Sequence, residues 1–437
     1  MLLDFQVANY RSFRGPARLT LAASHYDSST LPGNVVPTQL PGIIKERFLR
    51  GAAIYGANAS GKSNLIRAIF ELQQLVRRSH AFERGGRLPF DPFRLNAASS
   101  AQPTLYAIRF VAEGIRYHYQ VAFNAERVLE ESLSAFPKRK EQLWFHRQWD
   151  EEAGEDVYGP EESEHFALRK SDIESTKQNS LFLSTSANLN HPKLGPVYSW
   201  FRDTLSVLNL GIDSNHLDST KTLSHFSSDR SRLLRFLQKA DLGIGDLKVE
   251  SKPIPQSILN NLPKEVRDKA PSELPVVELF HHGEGGSGHY LTLDEESSGT
   301  KRYFDLIGPW LDLIEKGQVL FLDELETSLH PLLTRELVRM VMDPAINTKN
   351  AQIIFATHDP LLLDTTLLRR DQIWLAEKTR DGDSVLYALN EYKNPPSKRE
   401  SLVRGYLAGR YGGIPYLPES LMEPQEGPAE EAATGDA

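Results

Sequence analysis

The chain has 437 residues, 40% of them apolar and 25% charged, with no cysteine and a net charge of −8. That length allows more than one hydrophobic core, and that composition excludes a disulfide scaffold, a thiolate metal centre, a cysteine nucleophile and wholesale disorder. Six acids (Glu419, Glu423, Glu426, Glu430, Glu431, Asp436) and no base fall after residue 418, so residues 1–418 carry only −2, too near neutral for a broadly basic nucleic-acid coat.

The alternation of Leu3, Phe5 and Val7, repeated by Leu19 and Leu21 after a Gly-Pro break, predicts an opening β-hairpin. A short apolar strand, 52–55, then enters the glycine-rich stretch 56–61, and Leu65, Ile69, Leu72 and Val76 recur at helical spacing behind it. From 104 to 148 the period becomes two, with Tyr106, Ile108 and Phe110 facing Ile115, Tyr117, Tyr119, Val121 and Phe123 across Glu113-Gly114, which predicts an antiparallel meander. Between 150 and 290 the pattern weakens into charged loops, a helix near 228–239 and short strands around 244–250 and 275–281, read as an insertion. Order returns with the apolar runs 319–322, 353–356, 373–376 and 385–388, the pattern of buried strands between helices. The expected boundaries are 1–150 for the first part of an α/β head, 151–289 for the insertion, 290–391 for the rest of the head, 392–418 for a C-terminal segment and 419–437 for a disordered acidic tail. No apolar run is long enough to cross a bilayer and no signal peptide opens the chain, so a cytoplasmic protein without a membrane partner is expected.

Gly56-Ala57-Asn58-Ala59-Ser60-Gly61-Lys62-Ser63 fits the phosphate-loop pattern G-x-x-x-x-G-K-[ST] between a predicted strand and a predicted helix. Backbone N–H groups there can cradle a β-phosphate, Lys62 can bridge the β- and γ-phosphates, and Ser63 can ligate Mg²⁺. Alone, the octapeptide would also suit an ordinary glycine turn. The run 319–322 ends in Asp323-Glu324, a Walker B pattern in which Asp323 would hold Mg²⁺ and Glu324 would polarise the attacking water. A third run, 353–356, ends in Thr357-His358, and His358 could donate to the γ-phosphate; a histidine at a strand end is also a common structural residue.

With Glu326-Thr327-Ser328-Leu329-His330-Pro331 and the opening Asn9-Tyr10-Arg11-Ser12-Phe13, these segments resemble the ABC-type ATPase heads of the RecF, OLD and SMC lineage. Within it they are most similar to bacterial ATP-binding proteins grouped as AAA and often described as abortive-infection ATPases. The resemblance covers about 1–135 and 290–415. It implies a P-loop NTPase of ABC type, with a mainly parallel sheet flanked by helices, an antiparallel β subdomain and an α+β insertion. It also implies ATP held between two protomers. Arg11, Gly56, Asn58, Ser60, Gly61, Lys62, Ser63 and Asn64 would contact it in one protomer, Ser63 and Asp323 would hold Mg²⁺, and Lys62, Glu324 and His358 would serve catalysis. Glu296-Ser297-Ser298-Gly299-Thr300 stands in the signature place, where Ser297 and Gly299 would approach the nucleotide. It departs from the common L-S-G-G-[QE], and a plain helix N-cap also fits it. The glutamine of the family's Q-loop has no counterpart in 89–95.

Other signals carry less. Asp381-Gly382-Asp383 is read as a hairpin turn rather than a nuclease D-x-D, and His281, His282 and His289 around a glycine-rich segment as a hairpin rather than a metal site. Lys138-Arg139-Lys140 and Arg169-Lys170 are solvated basic runs, with DNA contact as the alternative, and 404–415 is read as a final segment packed on the core. The expected function is a Mg-dependent ATPase whose ATP-gated homodimer, or higher homo-oligomer, acts as a switch on a separate effector protein in anti-phage defence. The alternatives are a RecF-like clamp on DNA and a transporter motor.

Overall fold

The computed structural model describes residues 1–25, 29–37, 47–160, 164–208, 220–240, 242–254, 260, 264–267, 272–392, 396 and 400–415. The acidic segment 419–437 lies outside them, as does the end of 392–418. In chain order, β1 (Leu2–Ala8) and β2 (Ala17–Thr20) lead to β3 (Gly51–Gly56) and the helix α1 (Lys62–Arg78). Five strands follow: β4 (Thr104–Ala112), β5 (Ile115–Phe123), β6 (Val128–Phe136), β7 (Gln142–Asp150) and β8 (Glu155–Gly159). Next come α2 (Phe182–Asn188), β9 (Leu205–Leu208), α3 (Thr220–Lys239, with non-helical backbone at Asp229), β10 (Ile244–Pro253), β11 (Glu273–His282) and β12 (Gly288–Thr292). The last part holds α4 (Ser298–Lys316), β13 (Val319–Leu322), α5 (Pro331–Met342), β14 (Gln352–Ala356), β15 (Ile373–Lys378), β16 (Ser384–Ala388) and α6 (Leu402–Leu407).

Among the described residues the strands form an antiparallel sheet in the order β8-β7-β6-β5-β4-β1-β2 and a second sheet in the order β9-β13-β14-β3-β15-β16. In the second sheet β9, β13, β14, β3 and β15 run parallel and only β16 is antiparallel. A smaller sheet, β10-β11-β12, is an antiparallel meander.

The opening hairpin and the 104–148 meander form as the alternation predicts, and the 281–289 hairpin forms around its glycine-rich segment. One expectation needs correction. The span 151–289 is not wholly an insertion, because β9 lies within it and supplies the parallel neighbour of β13, with Leu205 opposite Val319. The Asp381–Asp383 turn forms the expected hairpin and returns the run 385–388 antiparallel beside β15, where as an edge strand it is only partly buried.

The second sheet is covered on both faces, which accounts for its uninterrupted apolar runs. Ile54, Phe321, Ile354 and Trp374 face α1 and the inner side of the antiparallel sheet, including Leu65, Ile69, Tyr106 and Tyr119. Tyr55, Leu320, Leu322 and Phe355 face Phe304, Ile307 and Leu311 of α4 and Leu337, Val338 and Val341 of α5. Two layers therefore clamp β3, β13 and β14 side by side with their C-terminal ends at one edge.

Candidate nucleotide site

At that edge β3 ends in Gly56 and α1 begins at Lys62. A Cβ on Gly56 would lie 2.5 Å from the carbonyl oxygen of Ala376 on the neighbouring strand, and Gly61 has φ 110°, so both positions require glycine. Gly61 offers α1 no side-chain cap, which leaves the first-turn amides facing the loop, an arrangement suited to an anion. Asn58 is exposed at the loop's tip, while Ser60 is buried with its hydroxyl unpartnered among the described residues.

Lys62 is buried and folds back on its own loop, its Nζ donating to the carbonyls of Gly56 (2.8 Å) and Ala57 (3.1 Å). Burial draws its pKa down to about 8 against the pull of Asp323, Glu326 and Glu324. Ser63 lies beside the Asp323 carboxylate and favours its charged form, and Asp323 Oδ1 is buried without a partner among the described residues. Burial and the neighbouring Glu324 hold the Asp323 carboxyl above the usual carboxylate range, with Ser63 and Lys62 acting the other way. A hydroxyl beside an unsatisfied carboxylate oxygen is a fitting donor set for Mg²⁺, which prefers one or two hard oxygen ligands from protein and completes its shell with water and phosphate.

Glu324 is exposed at φ 49°, a strained conformation for a side chain of its size, and accepts a bond from the Thr327 hydroxyl at 3.1 Å. Glu326 accepts the backbone N–H of His358 at 2.6 Å, tying the loop after β13 to the end of β14. Burial first, and the charge of Lys62 second, push the His358 pKa below the usual histidine value, so its imidazole is neutral at pH 7 and can donate one hydrogen bond.

The hairpin β1–β2 closes the site from a third side. Arg11, at φ 50°, pairs through Nε with Asp91 (2.9 Å) and through Nη1 with the side-chain carbonyl of Asn64 (3.3 Å), and Asn64 donates to the Ser12 hydroxyl (2.8 Å). Asp91 occupies the 89–95 stretch that lacks a glutamine, so an ion pair stands there instead. Ser384 on β16 has a buried hydroxyl 2.4 Å from where a Gly61 Cβ would be.

The structure thus brings Arg11, Gly56, Asn58, Ser60, Gly61, Lys62, Ser63, Asn64, Asp323, Glu324 and His358 to one edge of the sheet. It does not bring Ser297 and Gly299 there. Ser297 caps α4, accepting the Thr300 N–H at 3.1 Å, and both residues line a separate cavity of about 600 Å³ with Ser328, His330 and Leu333. Sequence reasoning passed over Ser12, Asp91, Glu326 and Ser384 as site residues. Their one signal is proximity to a motif, and for Ser384 even that exists only in three dimensions. Behind the loop lies the C-terminal segment, with the Tyr406 ring 5.5 Å from that of Tyr55 and a Gly413 Cβ position 3.7 Å from the Cα of Gly56.

Residues 52–364 match the family described as "AAA domain, putative AbiEii toxin, Type IV TA system". No curated protein matches the chain. Among solved structures it is similar to the SMC head domain from Thermotoga maritima (14% identity, TM-score 0.36, covering 89% of this chain and 98% of that one). It is also similar to an SMC head bound to the C-terminal winged-helix domain of ScpA (13%, 0.40, 89% and 97%) and to an SMC head with an extended coiled coil bound to the C-terminal domain of ScpA derived from Pyrococcus furiosus (13%, 0.37, 89% and 97%). At those scores the fold assignment rests on the strand order and the family match.

Proposed function

We propose, from the premise that this chain belongs to the AAA_21 family of AAA domains, that it is a Mg-dependent ATPase whose ATP-gated pairing with a second copy acts as a switch. The observation that carries this reading is the convergence of Lys62, the Ser63–Asp323 pair, Glu324 and His358 at the ends of three adjacent parallel strands. Lys62 would exchange its two loop carbonyls for β- and γ-phosphate oxygens, and the first-turn amides of α1 would take the β-phosphate. Ser63 and Asp323 would hold Mg²⁺, which when bound neutralises charge growing on the phosphate oxygens. Glu324 would orient and polarise the attacking water, and neutral His358 would donate to the γ-phosphate. Ser297 and Gly299, remote from their own chain's phosphate loop, would serve the nucleotide of the second copy.

The biological reading is anti-phage defence in which the switch controls a separate effector, consistent with the family's AbiEii description. A second reading, a clamp on duplex DNA, is favoured by one feature: Arg18, Arg109, Arg116 and His118 line a single cavity on the outer face of the antiparallel sheet, next to the exposed run Lys138–Lys140. Asp4 and Glu141 offset part of that charge.

Steady-state hydrolysis and sedimentation test the first reading. Lys62→Ala should abolish tight ATP binding by calorimetry. Glu324→Gln should bind ATP, lose hydrolysis by about a hundredfold or more and accumulate as a dimer. Unchanged turnover in Glu324→Gln would remove Glu324 from the mechanism. In cells, loss of phage protection in both variants would support the defence role, and salt-dependent duplex binding without a partner protein would support the clamp.

A further inference from the structure

α4 starts at the signature-like residues and ends just before β13, so it joins the two halves of the proposed machinery. Its first turn rests on the loop that follows β13: a Cβ on Gly299 would lie 2.9 Å from the carbonyl oxygen of Ser328. Arg302 is three residues further on and therefore on the same face of the helix. It is only 6% exposed, and its Nε and Nη2 have no hydrogen-bond partner among the described residues. Burial draws its pKa down to about 10, and the acids acting against that are Asp305, Glu324 and Glu326. On the facing loop Glu326 shows the complementary defect, an Oε2 buried without a partner, while its Oε1 holds the His358 N–H. A desolvated guanidinium on this face of α4 and a desolvated carboxylate oxygen on the loop that the same face touches, unjoined by a hydrogen bond, are both unfavourable for folding. Such a pair makes sense where a second arrangement of the same elements satisfies it.

We propose that Arg302 is a positioning residue that couples the Ser297–Gly299 end of α4 to hydrolysis, closing onto Glu326 when a second copy's nucleotide engages that end. The closed Arg302–Glu326 pair fixes Glu326, and through the Glu326–His358 hydrogen bond it holds His358 and Glu324 in their working places. Turnover then requires that the distant end of the helix be occupied, so a lone chain binds ATP without spending it. This inference rests on the ATPase reading above.

The test uses full-length Arg302→Met, which removes the charge and keeps the length of the side chain. Its expected signature is a split that a structural arginine cannot give. The melting temperature holds or rises because an unpaired buried charge is gone, ATP affinity stays within about twofold, and kcat falls by about tenfold or more with KM little changed. Arg302→Lys, which keeps a cation, regains at least about a third of the parent kcat, and Glu326→Gln loses kcat as Arg302→Met does. A kcat within about twofold of the parent in Arg302→Met, or a melting temperature that drops together with kcat, overturns the coupling. A parent chain without ATP turnover overturns the ATPase reading and the coupling with it, whereas normal parent turnover and an unaffected Met variant overturn the coupling alone.

Discussion

Lys62 shows how one buried side chain can make ligand binding sensitive to pH. Its ammonium is drawn down to about 8 by burial, so below that pH the charge needed by a phosphate is present, and above it the free chain sheds the proton. Nucleotide phosphates would raise that value again. ATP affinity should therefore be level below pH 8 and fall by about tenfold per unit above it, and binding at pH 8 should take up a fraction of a proton. Calorimetry in two buffers of different ionisation enthalpy measures that uptake; a flat affinity from pH 7 to 10 would contradict it. The residues that pattern could find were those inside a motif, where glycine, lysine and acid recur at fixed spacing. Arg302 and Ser384 were not legible, because what distinguishes them is an unpaired buried atom, and pairing depends on neighbours far along the chain; Glu326 lay inside a motif, but its tie to the His358 N–H is visible only in three dimensions.

Among the elements, β3, β13 and β14 were readable since each is apolar throughout and each ends in a motif. Strand β9 was not. Only its first residue is fully buried, and four positions are too short a run for periodicity to tell a strand from a loop. Periodicity found the second half of α3 and missed the first, because the backbone breaks at Asp229 and the helical phase is interrupted there. The C-terminal segment was legible as a packed strip but not in its place: Tyr406 donates to the carbonyl of Gly413 at 3.0 Å, and Gly413 donates to Glu377 at 2.7 Å, which fastens α6 behind β3. Tyr406→Ala should cost about 3 kcal/mol in urea unfolding through the lost ring and its cavity. It should also weaken ATP binding, because the strand carrying the phosphate loop loses its backing. Unchanged stability would show that the segment merely lies on the surface.

For the molecule as a whole, the separation of Ser297 and Gly299 from their own phosphate loop makes a prediction about pairs of chains. Ser297 is exposed, so Ser297→Glu should fold, yet it would set a negative charge against the second copy's γ-phosphate. That variant and Lys62→Ala should each be inactive alone. Mixed in equal amounts they should regain part of the parental hydrolysis, because a mixed pair has one sound interface of its two and a like pair has none. No recovery in the mixture would argue that each chain works by itself. The sheet that carries the site is assembled from strands beginning at residues 51, 205, 319, 352, 373 and 384, in an order unlike their order in the chain. During synthesis, then, the phosphate loop emerges early but must wait for its neighbours: β14, its partner on one side, is translated some three hundred residues later. A product terminated before residue 319 would hold Lys62 and lack Asp323 and Glu324, so the two halves of the site can meet only once nearly the whole sheet has been made.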